Sequence, residues 1–229
     1  MRYLDEIGYR DIEQIVFFDI ETAAVEPELI EGTPLATSWK YKMRHEGYTS
    51  FEEYAESFLS KAPLYAPFGK IVCISVGYVY QGNVRKKSYV GDEPTIIKSF
   101  FADLAKLKNS EKIMPKRFLA GFNVFAYDVP FVAFRAMVHK IKPDPWFDVA
   151  GMKQWNLKHI IDLSELLRGT MFASMSLLNV VTAFGLPSPK DELSGDGVTK
   201  AFYEGKIDLI STYCEKDVES TINIFKYIV

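Results

Sequence analysis

A chain of 229 residues, 48% hydrophobic and 25% charged, is sized and composed for one substantial α/β domain or one domain with an insertion, which excludes disordered and fibrous classes. Lys plus Arg number 27 against 30 Asp plus Glu, and this net charge of −3 argues against a protein that grips long duplexes by their phosphates. Cys73 and Cys214 lie far apart in sequence and suggest neither a disulfide framework nor a metal-ligand spacing; with no apolar signal segment or membrane-length run, a cytoplasmic location is expected.

In chain order, Gln14–Ile20 reads as a first strand. Residues 23–66, with Pro27, Pro34, Pro63 and a helix-like Phe51–Leu59, read as an insertion before the second strand. Ile71–Tyr80 and Val84–Val90 are rich in β-branched and aromatic residues around Gln81-Gly82-Asn83, which predicts a hairpin. Asp92 and Pro94 then open an amphipathic helix with an apolar stripe through Ile96, Ile97, Phe100, Phe101, Leu104 and Leu107. Arg117–Phe122 is a short strand, and Val129–His139 a helix beginning at Asp128. Residues 141–156 form a Pro- and Trp-rich loop, and Leu157–Asp162 a further strand. Leu177–Phe184, closed by Gly185, and Ile207–Ile228 are helical. No repeat, low-complexity tract or linker divides the chain, so a single domain over 1–229 is expected.

Three separated phrases carry acids inside or beside apolar runs. They are Val16-Phe17-Phe18-Asp19-Ile20-Glu21-Thr22, Gly121-Phe122-Asn123-Val124-Phe125-Ala126-Tyr127-Asp128, and Tyr213-Cys214-Glu215-Lys216-Asp217. On a strand, residues i and i+2 share a face, so Asp19 and Glu21 project together while Phe18 and Ile20 face the other way. Asn123 ends the strand before Asp128, and Asp128 opens a helix, where exposed amides and the dipole favour a carboxylate. Tyr213 and Asp217 stand one helical turn apart. Singly, each has an ordinary explanation: a strand-end acid, a helix N-cap, a surface acid beside a packed ring. Together they put four carboxylates where an uncompensated charge is expensive to bury, and such charges are usually kept by a cation. Carboxylates read without a His or Cys donor suit hard ions with oxygen ligands, Mg²⁺ or Mn²⁺, rather than zinc. Two such ions serve in-line attack on a phosphodiester, so the residues read as a two-metal nuclease. Two ions would also bring the net charge of −3 to about +1, enough for a protein that holds only a strand end.

The phrases resemble the three exonuclease motifs of the DEDD superfamily of 3′–5′ exonucleases, with their ribonuclease H-like fold, over roughly Gln14–Ile228 and with 23–66 outside the match. Asn123-x-x-x-Tyr127-Asp128 is most similar to the proofreading exonuclease domain of family-B DNA polymerases. Tyr213-x-x-x-Asp217 is similar to the tyrosine subclass; the histidine subclass would place His where this chain has Thr212. The resemblance implies an α/β fold with a mixed central sheet flanked by helices. It implies Asp19, Glu21, Asp128 and Asp217 as ligands of two Mg²⁺ or Mn²⁺ ions, Asp19 holding both, and Tyr213 orienting the attacking water. It also implies Thr22 and Asn123 at the terminal nucleotide, with Phe125 or Phe122 stacking on a base. The expected activity is release of nucleoside 5′-monophosphates from 3′ ends of nucleic acid, preferably single-stranded DNA. The alternatives are an RNA exonuclease and a non-catalytic nucleic-acid-binding module on the same fold. Any proofreading would act in trans, beside a polymerase or repair partner.

Outside the motifs, Asp162 reads as a strand-end cap that could also lie near the cleft. Lys190, in a loop before the last helices, reads as a solvated lysine or a phosphate contact. Trp39-Lys40-Tyr41-Lys42-Met43-Arg44 reads as a core-packing run or a path for nucleic acid.

Overall fold

In the computed structural model, which describes residues 2–153, 156–170, 175–188 and 195–229, a short helix α1 (Arg2–Glu6) and a 3-10 turn (Ile12–Gln14) lead into strand β1 (Ile15–Ala24). Along β1 every residue is buried except Asp19. Burial of both faces marks a central strand, and the one half-open position is an acid.

Helices α2 (Pro34–Lys42) and α3 (Phe51–Lys61) follow, occupying the stretch between β1 and β2 (Gly69–Tyr80). Thr33 caps α2, and Ser50 with Glu53 forms a reciprocal capping box on α3. The two helices close around Trp39, which packs on Phe58 and Phe68 and donates its indole N–H to Tyr54 O at 3.0 Å and Ser57 Oγ at 3.1 Å. Trp39 and Met43 are core residues, and Lys42 Nζ sits 4.1 Å from the Tyr65 ring centre. Of the basic–aromatic run, Trp39 and Met43 pack the helix pair, while Lys40, Tyr41, Lys42 and Arg44 are exposed.

β2 turns through Gln81 and Gly82, with φ of 49° and 77°, into β3 (Asn83–Val90). Two left-handed residues give a turn whose twist matches an antiparallel hairpin. Helix α4 (Glu93–Lys108), capped by Asp92, carries the chain back to β4 (Phe118–Gly121). Helix α5 (Asp128–Val138) connects β4 to β5 (Ile160–Asp162) by way of residues 141–153, which hold neither helix nor strand. The chain ends in α6 (Leu163–Arg168), α7 (Leu177–Ala183), α8 (Val198–Tyr203) and α9 (Ile207–Ile228). Among the described residues no helix is long and apolar enough to cross a membrane.

The sheet order is β3-β2-β1-β4-β5, with β1, β2 and β3 antiparallel in turn and β1, β4 and β5 parallel. This mixed sheet, flanked by helices, is the ribonuclease H-like arrangement the motifs imply. One face of β1 (Val16, Phe18, Ile20) packs under α4 and α5 through Ile97, Phe100, Val129 and Val132. The other face (Ile15, Phe17) packs under α7 and α9 through Val181, Val218, Ile222 and Phe225. Gly77 lets α9 come close: a Cβ there would meet Val218 at 2.7 Å and Ile222 at 2.9 Å.

Two local expectations change. β4 ends at Gly121, so Asn123 belongs to the following loop rather than to the strand end. The N-cap of α5 is Tyr127, without a side-chain cap bond, so Asp128 is the first helical residue and its carboxylate is used elsewhere.

Candidate active site

Asp19 and Glu21 lie on the α9 face of β1, opposite Phe18 and Ile20, as alternation along a strand requires. Across the β1–β2 ladder Glu21 pairs with Cys73 and Thr22 with Ile71, so Val72 is an extra residue on β2. Such a bulge adds local twist and re-aims side chains. It falls right after the second acid.

The loop from Phe122 to Tyr127 delivers Asp128, and Asp162 holds that loop in place. Its carboxylate accepts from Asn123 N at 2.9 Å and Phe125 N at 2.9 Å, and from Ser164 N at 2.9 Å and Ser164 Oγ at 2.7 Å. Asp162 therefore caps α6 and braces the loop, so strand-end capping describes it well. Asn123 takes a φ of 65°, a left-handed conformation that Asn tolerates better than most residues. Gly121 is needed just before it, because a Cβ would lie 2.1 Å from Val124 and 2.8 Å from Phe18 O. Asp128 then reaches back to β1, where its Oδ1 accepts from Ile20 N at 3.1 Å.

From the other side, α9 supplies Tyr213, Cys214 and Asp217. Tyr213 hydrogen-bonds Asp217 one turn along; burial first, then the surrounding carboxylates, drive its phenol well above the usual tyrosine value. Cys214 Sγ lies 3.4 Å from both Asp19 O and Asp19 Oδ2. The donor set is therefore not carboxylate alone. Ligand atoms of Asp19, Glu21 and Cys214 all lie within 4.8 Å of one another. Cys73 also hydrogen-bonds Cys214, so the two thiols that are distant in sequence meet beside the acids.

The electrostatics are those of crowded, poorly solvated acids. Burial, followed by repulsion from Asp128, Asp217 and Glu21, raises Asp19 well above the ordinary carboxylate range. Burial pushes Asp128 up to about 7, although the Ile20 amide pulls the other way. Among the described residues neither Asp19 nor Asp128 forms an ion pair with Lys, Arg or His. Half-buried Asp19 and Asp217, with buried Glu21 and Asp128, offer hard oxygen donors of the kind Mg²⁺ and Mn²⁺ take. These residues fit divalent ions.

The remaining candidates divide. Thr22 is buried and its hydroxyl is engaged, donating to Pro63 O at 3.0 Å and lying 2.7 Å from Tyr127 Oη. Tyr127 Oη also donates to Pro63 O at 2.9 Å, so these side chains tie β1, α5 and the turn after α3 rather than presenting a free hydroxyl. Asn123 is exposed on the loop braced by Asp162, and Phe125 is half-buried against the α4–α5 core. Phe122 packs on the opposite core. Lys190 lies outside the described residues. Sequence reasoning missed Cys214 as a neighbour of Asp19, although it stands inside the Tyr213–Asp217 phrase; one helical position from the tyrosine, it faces the sheet. It also missed Tyr127 as a tether, for which the only signal was its place next to Asp128.

No curated protein matches the chain. A family model does, over residues 63–228, and its description is a predicted 3′–5′ exonuclease related to the exonuclease domain of PolB. The matched span contains Asp128, Tyr213 and Asp217 and begins after Asp19 and Glu21, so it is shorter at its start than the motif resemblance. Contact through β1 is what joins the first two acids to the matched part. The chain belongs to this family of predicted 3′–5′ exonucleases related to the exonuclease domain of PolB.

Proposed function

We propose that the protein is a divalent-metal-dependent exonuclease that hydrolyses the terminal phosphodiester at 3′ ends, with single-stranded DNA as its preferred substrate and nucleoside 5′-monophosphates as products. The observation that carries the reading is the convergence of Asp19, Glu21, Asp128 and Asp217 from β1, α5 and α9 at buried and half-buried positions, where burial first and mutual repulsion second oppose their charges. Repelling acids gathered at buried and half-buried positions favour a bound cation and disfavour a purely structural role.

Asp19, Glu21, Asp128 and Asp217 would hold two Mg²⁺ or Mn²⁺ ions. When bound, such ions supply an acidified water and a counter-charge for the leaving 3′ oxygen. The chain contributes geometry. The Ile20 amide fixes the Asp128 carboxylate, and the Cys214 thiol donates to Asp19 Oδ2, so two of the acids are oriented before any substrate arrives. Tyr213 keeps its proton at neutral pH, because burial and neighbouring carboxylates oppose the phenolate. It therefore orients the attacking water by hydrogen bonding and does not act as the base. Asn123, exposed at the loop held by Asp162, would touch the terminal nucleotide, and Phe125 would lie against a base. The preference for DNA is drawn from the likeness to polymerase proofreading domains, and a polymerase or repair partner would then supply the 3′ ends.

The test is cleavage of 5′-labelled single-stranded and 3′-recessed DNA, with matching RNA, in Mn²⁺ or EDTA, beside Asp19→Ala and Asp217→Ala. A Mn²⁺-dependent ladder shortening from the 3′ end, absent in both variants, is the expected result. Equal or faster loss of the RNA would overturn the substrate assignment. No cleavage of any substrate, with saturable Mn²⁺ binding intact, would replace the enzyme by a binding module.

A further inference from the structure

Resting on the metal-dependent reading of this site, we propose that Cys214 makes it a trap for soft divalent ions: Zn²⁺ or Cd²⁺ would be held by Asp19, Glu21 and the Cys214 sulfur, displacing Mg²⁺ or Mn²⁺ and stopping the reaction.

The geometry is close to that of a coordination sphere. A tetrahedral ion with a sulfur ligand at about 2.3 Å and an oxygen ligand at about 2.0–2.2 Å sets those two donors roughly 3.5 Å apart. Cys214 Sγ and Asp19 Oδ2 already lie 3.4 Å apart. Every pairwise separation in the set that includes Glu21 is within 4.8 Å, so closure onto one ion asks for side-chain shifts of about 1 Å rather than a backbone change.

The chemistry separates the two kinds of metal. Mg²⁺ and Mn²⁺ prefer oxygen and gain little from sulfur, whereas Zn²⁺ and Cd²⁺ gain strongly from a thiolate. A site of carboxylates alone would show little of that discrimination. On binding, the S–H bond breaks with its electron pair staying on sulfur, the sulfur–metal bond forms, and the proton leaves to solvent. The thiol also has an outer support. Cys73, the cross-strand partner of Glu21, hydrogen-bonds Cys214 and lies 3.6 Å from Ser75 Oγ. Ser75 Oγ is 2.8 Å from Ser88 Oγ, which donates to Glu215 Oε1 at 2.6 Å. Such an outer chain orients a ligand and tunes its affinity.

The experiment titrates Cd²⁺ into the metal-free chain, reduced with a phosphine so that no added thiol competes, and reads the sulfur-to-cadmium charge-transfer band in the near ultraviolet. The wild type should give a band that saturates at one ion per chain. Cys214→Ser should abolish it, and Cys73→Ser should retain it. Asp19→Asn should shift the midpoint to Cd²⁺ concentrations higher by about 10-fold or more, which links the thiol to the acid. In the cleavage assay, Cys214→Ser should need at least about 10-fold more Cd²⁺ for half-inhibition of the Mn²⁺-supported reaction. A wild type without the band, a band that survives in Cys214→Ser, or a midpoint unmoved by Asp19→Asn overturns the proposal. Should Cys214→Ser fail to fold, the wild-type band and its response to Asp19→Asn decide alone. The band needs no turnover, so a protein that shows it without cleaving nucleic acid keeps this inference about the ion and refutes the nuclease.

Discussion

The backbone amide of Ile20 donates to Asp128 Oδ1 at 3.1 Å, so the residue between the two acids of β1 also fixes the acid that starts α5. One hydrogen bond thereby couples parts of the chain 108 residues apart, and with the Asp128 amide it partly offsets the burial that opposes the carboxylate's charge.

Asp128→Asn keeps an acceptor for the Ile20 amide and removes the charge. Relief of a buried charge and of its repulsion predicts that in EDTA at pH 8 this variant melts above the wild type, by the equivalent of about 1–4 kcal/mol. Loss of a ligand predicts that Mn²⁺ stabilises it less and that cleavage falls on the order of 10³-fold. Thermal unfolding with and without Mn²⁺ checks the first part. A variant less stable than the wild type in EDTA would show that the carboxylate is structurally favourable, contrary to its raised pKa.

The same shift fixes how the metal-free protein responds to pH. Asp128 titrates near 3.8 in the unfolded chain and is pushed up to about 7 in the fold, so the native state binds the extra proton between those values. Its stabilising contribution is full below about pH 4 and is lost as pH rises through about 7, an upper bound on the order of 4 kcal/mol. Asp19 is shifted in the same direction and adds to the slope. Denaturant midpoints in EDTA should therefore fall from pH 5 to pH 8, and saturating Mg²⁺ should flatten or reverse the trend. A flat profile in EDTA would contradict the raised pKa values of both acids.

Tyr213→Phe tests positioning against proton transfer. The ring is buried and its hydroxyl bonds Asp217, so the variant should fold and bind Mn²⁺ nearly as the wild type does. If the hydroxyl orients the water, kcat should drop by about 10²-fold without a change in the alkaline limb of the pH–rate profile. Removal of an alkaline limb along with the hydroxyl would instead make Tyr213 the titrating group.

Much of this arrangement was legible because it rests on local rules. Alternation placed Asp19 and Glu21 on one face, a 3.6-residue period placed Tyr213 beside Asp217, and the hairpin at Gln81-Gly82 followed from its flanking strands. What sequence did not reveal depends on contacts between distant segments. Cys214 meets Asp19 and Cys73 where α9 settles onto the sheet, a close approach that Gly77 permits further along the helix at Val218 and Ile222. Thr22 looked available for substrate, yet its hydroxyl is taken up by Pro63 and Tyr127, which only the fold brings near. Asp128 looked like an N-cap because the chain enters a helix there, and the long-range pull of the Ile20 amide is invisible in a linear reading.

Glu93 supplies the opposite case and the final prediction. It is as buried as the acids of the site, and burial alone would raise its pKa. Its oxygens accept from Arg135 Nε at 2.8 Å, Arg135 Nη2 at 2.6 Å and Ile71 N at 2.7 Å, and lie 2.6 Å from His139 Nε2; together these hold it below the ordinary glutamate value. Its contribution is thus present above the unfolded pKa and is lost as pH falls through the lower folded one, opposite in sign to Asp128. Arg135 also donates to Ala66 O at 3.2 Å, so this network ties α4, α5 and β2 to the segment that precedes β2. Arg135→Met would leave Glu93 buried without its guanidinium and should destabilise the fold by about 3–5 kcal/mol at neutral pH, recovering in part below pH 5 as Glu93 protonates. Mn²⁺ should rescue none of that loss beyond its effect on the wild type, because Glu93 is held by Arg135, His139 and Ile71 and is not one of the proposed metal ligands. Unfolding curves of Arg135→Met at pH 4.5 and pH 7.5 test it, and an equal loss at both values would show that packing, rather than the unpaired charge, is what Arg135 provides.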